Sequence, residues 1–279
     1  MGAIAIHFYP NPKLQTMLLP RKATHLVCKA KEVAHIILSP TIRCSAANVS
    51  RTMVTMNKDG IGVDPHELEP IFEQKRSLRS KVRKALKTMD PFQRSQEDDA
   101  IQNTVVESLW FKASKSVCAY ISSPALLEVD TSKIISEVLC SPAEERKKLY
   151  VPRVDRNSNM KMLMISSVDD LIEKSMNILE PALVDSDGIQ REDVMQSSDP
   201  VDLFILPDSI RPVPHDHENY QELTKMKRWK QPLLIALSYS VQIIEEGAIP
   251  VTPFDIPVDA LVSPAGFIPI SAAALRRCE

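Results

Sequence analysis

The sequence predicts a single α/β domain with a mainly parallel sheet flanked by helices. One reason is the run VDLFILP at residues 201–207, because a short apolar run that ends at a proline is typical of a buried strand. The other is that such runs alternate along the chain with segments of helical periodicity. In open α/β sheets, ligands bind outside the carboxyl ends of the strands, so we expect a large part of the active site just after Pro207.

Residues 1–57 differ from the rest of the chain in charge. They contain seven lysine and arginine residues, recurring serine and threonine, and one acidic residue, Glu32. A basic, hydroxyl-rich and acid-poor leader is typical of an organellar transit peptide, and a disordered tail is the alternative. We therefore expect a mitochondrial leader at 1–57, with plastid or cytoplasm as alternative locations, followed by the α/β domain at 58–279.

The rest of the chain is acidic. Residues 58–279 hold 27 basic and 35 acidic side chains, a net charge of −8, which makes them a poor candidate for nucleic-acid binding. No apolar run approaches the ~20 residues that cross a bilayer. The five cysteines include no CxxC pair, which argues against a zinc site or a disulfide framework. We expect a monomer with neither a nucleic-acid nor a membrane partner.

The first predicted helix spans residues 67–89, where apolar residues recur at three-, four- or seven-residue steps and basic residues fill much of the remaining circumference. The later predicted elements are, in chain order, a helix from the Asp90-Pro91 start to about Trp110, a strand at 116–122, a helix capped by Asp130 and Thr131, strands at 148–154 and 161–165, a short helix at 168–174, the strand at 201–207, a helix at 219–228, a strand at 233–239 and two short strands within 259–270.

Lys75 and Arg79 are the first candidate ligand-binding residues. They lie four residues apart in the segment Lys75-Arg76-Ser77-Leu78-Arg79, and therefore one above the other on a helix. Two cations so placed could hold successive phosphates of a nucleotide, with the arginine supplying a bidentate fork. The alternative is a solvated helix face, which the charge run alone favours.

Two carboxylates are candidates on loops. Glu128 lies just past a predicted strand between two apolar residues, so it could bind a ligand N–H group, although a lone loop glutamate is usually solvated. Asp255 lies in a proline-bearing loop whose limited backbone freedom suits a preorganised Mg²⁺ ligand, with a capping carboxylate as the alternative. The sequence His215-Asp216-His217 has no evident third ligand and does not predict a metal site. No nucleophile motif identifies a catalytic residue.

Five motifs in the same order strongly resemble the 5-formyltetrahydrofolate cyclo-ligase family, also called methenyltetrahydrofolate synthetases. The likeness looks closest to plant mitochondrial forms and runs from about Glu69 to Ile270. The motifs are Lys75-Arg76-Ser77-Leu78-Arg79, Ala119-Tyr120-Ile121-Ser122 with Glu128-Val129-Asp130-Thr131, Tyr150-Val151-Pro152-Arg153, residues 201–207, and Ile249-Pro250-Val251 with Asp255.

The resemblance implies a NagB/RpiA/CoA-transferase-like α/β domain. It also implies conversion of 5-formyltetrahydrofolate to 5,10-methenyltetrahydrofolate with ATP as co-substrate and Mg²⁺ as cofactor. Carried over residue by residue, it implies phosphate contacts from the segment Lys75-Arg76-Ser77-Leu78-Arg79, a pterin contact from Glu128 and Mg²⁺ binding by Asp255.

One segment departs from the family pattern. After the Leu-Pro strand end, the family continues with a glycine-rich loop whose backbone N–H groups cradle the nucleotide phosphates, with a tyrosine for the substrate and an aspartate for Mg²⁺. This chain has DSIRPVPHDHE at 208–218, without glycine, and the likeness resumes near Tyr220. The clean replacement favours exon loss or misprediction over gradual divergence. The alternative function is therefore a catalytically impaired variant with a folate-binding or interaction role only.

Overall fold

A computed structural model describes residues 65–142, 146–154, 160–174, 178–208, 230–244, 248–252 and 255–277. The leader at 1–57, the replaced segment at 209–218 with its His215-Asp216-His217 sequence, and the helix predicted at 219–228 lie outside these residues. Among the described residues, no helix is both long enough and apolar enough to cross a membrane.

The described strands build a seven-stranded sheet in the order β3-β2-β1-β6-β7-β8-β9. The strands are β1 (Ser116–Ala119), β2 (Lys148–Val154), β3 (Met160–Ile165), β6 (Leu203–Pro207), β7 (Leu233–Leu237), β8 (Ala260–Ser263) and β9 (Gly266–Pro269). The five central strands are mutually parallel, and β3 and β9 pair antiparallel at the two edges. The predicted α/β class with a mainly parallel sheet is confirmed.

Both faces of the sheet are buried, which explains why its central strands are apolar throughout. Leu203 and Ile205 of β6 face one core cluster, and Phe204 between them faces the other. Helices cover the first face: α1 (Pro65–Thr88), α2 (Pro91–Glu107), α3 (Leu109–Ala113) and α4 (Ser132–Leu139) follow one another, and α5 (Ala272–Leu275) comes last. Val82, Ile101 and Ile134 are among the helical residues in this cluster.

The helix starts follow the predicted capping chemistry in part. Asp90 caps α2 through a hydrogen bond from the Gln93 N–H to its Oδ2 at 3.0 Å, and Pro91 occupies the first turn. At α4 the Thr131 side chain makes no capping bond, and Asp130 accepts the Ser132 N–H at 3.1 Å. The second predicted helix ends earlier than expected, because Ser108 ends α2 and caps the separate helix α3.

The helix predicted at 168–174 is wrong. Val168–Asp170 forms one 3-10 turn, and the chain then extends into β4 (Leu171–Glu173), which pairs antiparallel with β5 (Leu179–Pro181) in a separate two-stranded sheet. A capping box between Ser167 and Asp170 stabilises this single turn, and the helix ends at Asp170. The strands are three residues long, so neither periodicity nor length distinguishes them in the sequence.

Candidate active site

The parallel strands place several polar side chains at one edge of the sheet. Strands β1, β6 and β7 run in the same direction, so Tyr120, Asp208 and Tyr239, which follow them, lie at their carboxyl ends. This edge is where open α/β sheets bind ligands. Asp208, the described residue directly after Pro207, thus lies at the edge where we expect the active site.

Lys75 and Asp255 form a buried ion pair between α1 and the late loop, 180 positions apart in the sequence. The Lys75 ammonium lies 2.6 Å from Asp255 Oδ1 and 2.5 Å from Oδ2. The Lys75 side chain is fully buried and that of Asp255 is 8% exposed. Because a buried charge is costly unless paired, each group requires the other.

The loop that carries Asp255 also donates hydrogen bonds to the Asp255 carboxylate. The Thr252 N–H donates to Asp255 Oδ2 at 2.5 Å, and the Thr252 hydroxyl lies 3.2 Å from the same oxygen. Asp255 therefore caps its own turn and also pairs with the Lys75 ammonium. Burial lowers the pKa of Lys75, while the Asp255 carboxylate opposes that shift and the Arg79 charge adds to it.

The five basic-helix candidates differ in exposure. Lys75 is buried and Leu78 and Arg79 are half-buried, whereas Arg76 and Ser77 are exposed. The Arg79 charge acts on the pKa of Lys75, as expected for two cations one turn apart. The solvated-face interpretation is therefore wrong for Lys75, which points into the protein.

Glu128 lies on a loop with strained backbone. The loop follows β1, makes a 3-10 turn at Pro124–Leu126 and reverses at Leu127, whose φ of 60° is in the left-handed region. A non-glycine residue there is uncommon and costs free energy, so the surroundings must hold it. The Glu128 side chain is half-buried, and its Oε2 accepts the Ser123 N–H at 3.1 Å.

Asp98 and Tyr239 are site residues that the sequence reasoning missed. The Tyr239 hydroxyl lies 2.7 Å from Asp98 Oδ1 and 3.0 Å from the Glu128 carbonyl oxygen, and the Asp130 N–H donates to Asp98 Oδ1 at 2.9 Å. Burial raises the pKa of Asp98, although these hydrogen bonds oppose the shift. The acidic run Glu97-Asp98-Asp99 was the available signal in the sequence, and the structure buries Glu97 and half-buries Asp98.

Asp208 and Ser238 form a second pair that was missed. The Ser238 hydroxyl donates to Asp208 Oδ2 at 2.7 Å, and Ser238 is fully buried. Burial raises the pKa of Asp208 to about 7, with the Ser238 hydrogen bond opposing the shift. A carboxyl group with this pKa at the carboxyl end of a central strand is typical of functional sites.

These groups are linked through the segment after β7. Helix α1, which carries Lys75, contacts the 3-10 turn Ser240–Gln242, and Tyr239 directly before that turn contacts the Glu128 loop. The structure thus joins Lys75 to Asp255 directly and to the Glu128 loop through this turn. In the described part of the chain, no group of three or more His, Cys, Asp and Glu side chains could hold a metal by itself.

Comparisons with known proteins identify the family of this chain. The model of the 5-formyltetrahydrofolate cyclo-ligase family matches residues 71–207. The mitochondrial 5-formyltetrahydrofolate cyclo-ligase of Arabidopsis thaliana is 50% identical over 253 residues, which cover 84% of this chain and 88% of that protein. The NMR structure of Aquifex aeolicus 5,10-methenyltetrahydrofolate synthetase shares the fold, with a TM-score of 0.52, 24% identity, and coverage of 70% of this chain and 92% of that one. This chain therefore belongs to the 5-formyltetrahydrofolate cyclo-ligase family.

Proposed function

We propose that this protein converts 5-formyltetrahydrofolate to 5,10-methenyltetrahydrofolate with consumption of ATP. The observation that carries the proposal is the buried Lys75–Asp255 pair, whose helix α1 contacts the turn Ser240–Gln242 that follows β7. A fully buried lysine is rare, and most stable structures avoid one. A cation that is held on Asp255 and turns to the nucleotide phosphates on binding is a reason to retain it.

The reaction needs positioning more than covalent help from the protein. The formyl oxygen attacks the γ-phosphate of ATP and displaces ADP. N10 of the folate then attacks the carbon of the resulting imidate phosphate and loses its proton, and phosphate leaves as the ring closes. Charge builds up on phosphate oxygens, so cations fixed in advance supply most of the assistance. Arg79 supplies that charge from α1, and Lys75 adds to it once it turns from Asp255 to the phosphates. Arg76, Ser77 and Leu78 complete the proposed nucleotide-binding segment.

Glu128 is the proposed contact for the folate. Its carboxylate accepts the Ser123 N–H within its own loop, and the two oxygens of an ionised carboxyl group are acceptors for N–H donors. The pterin ring of a folate offers N–H donors of that kind. Binding them at a half-buried carboxylate would exclude water from one side of the ring and orient the formyl group.

The donor set at Asp255 fits Mg²⁺ under one condition. Carboxylate oxygens are the ligands that Mg²⁺ prefers, and this ion commonly uses one or two carboxylates together with substrate phosphates. Both Asp255 oxygens lie within 2.6 Å of the Lys75 ammonium, so the ion can bind there only if Lys75 turns towards the phosphates. When bound, Mg²⁺ would neutralise phosphate charge.

The proposed location is the mitochondrion, and the proposed state is a monomer with a leader at residues 1–57. The basic, acid-poor composition of that segment supports the location, and the 50% identical Arabidopsis thaliana relative is named as mitochondrial. Import of residues 1–57 fused to a fluorescent reporter tests this proposal. We expect a mitochondrial signal, and a diffuse cytosolic signal would contradict it.

The nucleotide site is tested by steady-state kinetics on the full-length chain with 5-formyltetrahydrofolate, ATP and Mg²⁺. We expect Arg79→Met to raise KM for ATP by roughly tenfold or more, because it removes a charge-assisted phosphate contact. The control is Lys84→Met, an exposed lysine on the same helix, which we expect to leave KM for ATP unchanged. Equal effects of the two substitutions would contradict the assignment. No comparison favours the alternative of an impaired variant.

A further inference from the structure

The loop that carries Glu128 is held by side chains that contact no proposed ligand. Residues 127–130 form the strained part of this loop, which we call the Glu128 strap. Three consecutive strap residues have a backbone group bound by a distant side chain. The Tyr239 hydroxyl contacts the Glu128 carbonyl at 3.0 Å, the Tyr120 hydroxyl donates to the Val129 carbonyl at 2.8 Å, and the Asp130 N–H donates to Asp98 at 2.9 Å.

Asp98 and Tyr239 act as a pair. The phenol lies 2.7 Å from Asp98 Oδ1, the oxygen that also accepts the Asp130 N–H, so the one Tyr239 hydroxyl proton is shared between Asp98 and the Glu128 carbonyl oxygen. The two contacts fix the strap on both sides of Val129. Tyr239 is itself fully buried, and the Arg94 guanidinium lies 5.1 Å from its ring centroid. A buried group in such a network has little freedom to reorient.

The positive φ of Leu127 indicates that these contacts hold the strap in a backbone conformation that the free loop would not prefer. Leu127 has a φ of 60°, which a free loop of ordinary residues would leave. Relaxation at Leu127 would rotate the following residue, and that residue is Glu128. The backbone contacts of Tyr239 and Asp98 are directly downstream of the strained position, where they oppose this rotation.

The hydroxyl group of Ser123 is buried beside Glu128. Ser123 is 3% exposed, and its Oγ has no hydrogen-bond partner among the described residues. Its own N–H binds the Glu128 carboxylate, so the two polar side chains belong to one small site. Buried polar atoms without partners are uncommon in native structures and frequently mark ligand sites.

We infer that Asp98 and Tyr239 are positioning residues, which hold the strained Glu128 strap in the conformation that binds the folate substrate. The inference rests on the proposed role of Glu128 as the folate contact. It assigns a function to two residues on α2 and after β7, which carry no recognisable motif. It also predicts that folate affinity depends on groups that do not touch the folate.

The test measures the dissociation constant of 5-formyltetrahydrofolate by titration calorimetry on the full-length chain without ATP. We expect Tyr239→Phe and Asp98→Ala each to weaken binding by about tenfold, the effect of removing one buried hydrogen-bond partner. Asp98→Asn keeps an acceptor oxygen for both donors, so we expect it to retain affinity within about twofold of the unsubstituted chain.

The matched control is Tyr150→Phe. Tyr150 is equally buried and its hydroxyl binds Glu192 and Ser197, but it packs in the core cluster on the other face of the sheet. We expect it to lower stability without changing folate affinity. Thermal unfolding of all variants identifies any that do not fold, and hydrogen exchange at the Asp130 amide reports the strap directly, with faster exchange in Asp98→Ala but not in Asp98→Asn.

Two outcomes would overturn the inference. One is an equal change of folate affinity in Tyr239→Phe and Tyr150→Phe, because that would be the effect of lost stability alone. The other is absence of folate binding by the unsubstituted chain. Binding without turnover would instead refute the proposed activity and leave the positioning role supported if the variants differ as expected.

Discussion

The buried ion pair of Lys75 with Asp255 has an energetic consequence that can be measured. Lys75→Met leaves a carboxylate with 8% exposure without its cation, and Asp255→Asn leaves a fully buried ammonium without its anion. We expect each substitution to lower the free energy of unfolding by about 3–5 kcal/mol. The double variant should lose less than the sum, with a coupling of at least about 1 kcal/mol. Chemical denaturation of the four proteins measures these values, and additive losses would contradict the pairing.

Asp208 predicts how stability depends on pH. Its pKa is about 7 in the folded protein against an ordinary 3.8, so the folded state binds more protons than the unfolded state between about pH 4 and pH 7. Stability from this group is therefore lost as pH rises through that window. Asp208→Asn removes this pH dependence. Between pH 4 and pH 8, its free energy of unfolding should increase by on the order of 2–4 kcal/mol relative to that of the unsubstituted chain.

The measurement for Asp208 is urea denaturation of both proteins across that pH range. Asparagine keeps an acceptor for the Ser238 hydroxyl, so the substitution changes the charge and little else at this contact. A stability difference that stays constant with pH would show that the carboxyl group does not titrate in this window.

Individual site residues were predictable from the sequence only as candidates. Lys75, Glu128 and Asp255 could be singled out from charge, loop position and family motif, but their partners could not. The ion pair joins residues 180 positions apart, and the Tyr239–Asp98 bond joins residues 141 apart. Such contacts depend on the packing of α1 and α2 against the sheet, which no local pattern specifies.

At the scale of elements, the α2 start offers a direct test of local sequence chemistry. Asp90 is exposed and caps the helix through the Gln93 N–H at 3.0 Å. We expect Asp90→Ala to lower the free energy of unfolding by about 1 kcal/mol, and Asp90→Ser to restore most of it. The control is Asp99→Ala, an exposed acid within the same helix, with an expected change of less than about 0.5 kcal/mol. Equal losses at the two positions would contradict capping.

Long and strongly patterned elements were predicted best. The helix at 67–89 is found as α1, and the strand at 148–154 has the predicted bounds, because a continuous stripe or apolar run constrains both. The strands predicted at 116–122 and 233–239 end earlier, at Ala119 and Leu237, where polar loop contacts replace sheet pairing. The β4–β5 hairpin was missed, since three-residue strands carry no usable period.

At the scale of the whole molecule, the parallel sheet brings the segments after β1 and β7 to its carboxyl edge, and the packing of α1 brings in the loop that carries Asp255. The loop after β1 carries Glu128, and the segment after β7 carries Tyr239, which bonds to the Glu128 carbonyl. The late loop before β8 carries Asp255, which pairs with α1. The fold class was predictable because the alternation of strands and helices is a property of the entire sequence. The convergence of these particular loops became evident only with the strand order.

The central claim is that this chain is an active member of its family although residues 208–218 contain no glycine. Losing preorganised phosphate donors can lower a rate by on the order of 10²–10³. The most direct measurement follows methenyl absorbance when the purified full-length chain receives 5-formyltetrahydrofolate, ATP and Mg²⁺. We expect methenyl formation that requires ATP and is slowed by Arg79→Met but not by Lys84→Met. Absence of ATP-dependent methenyl formation by a folded chain would contradict it.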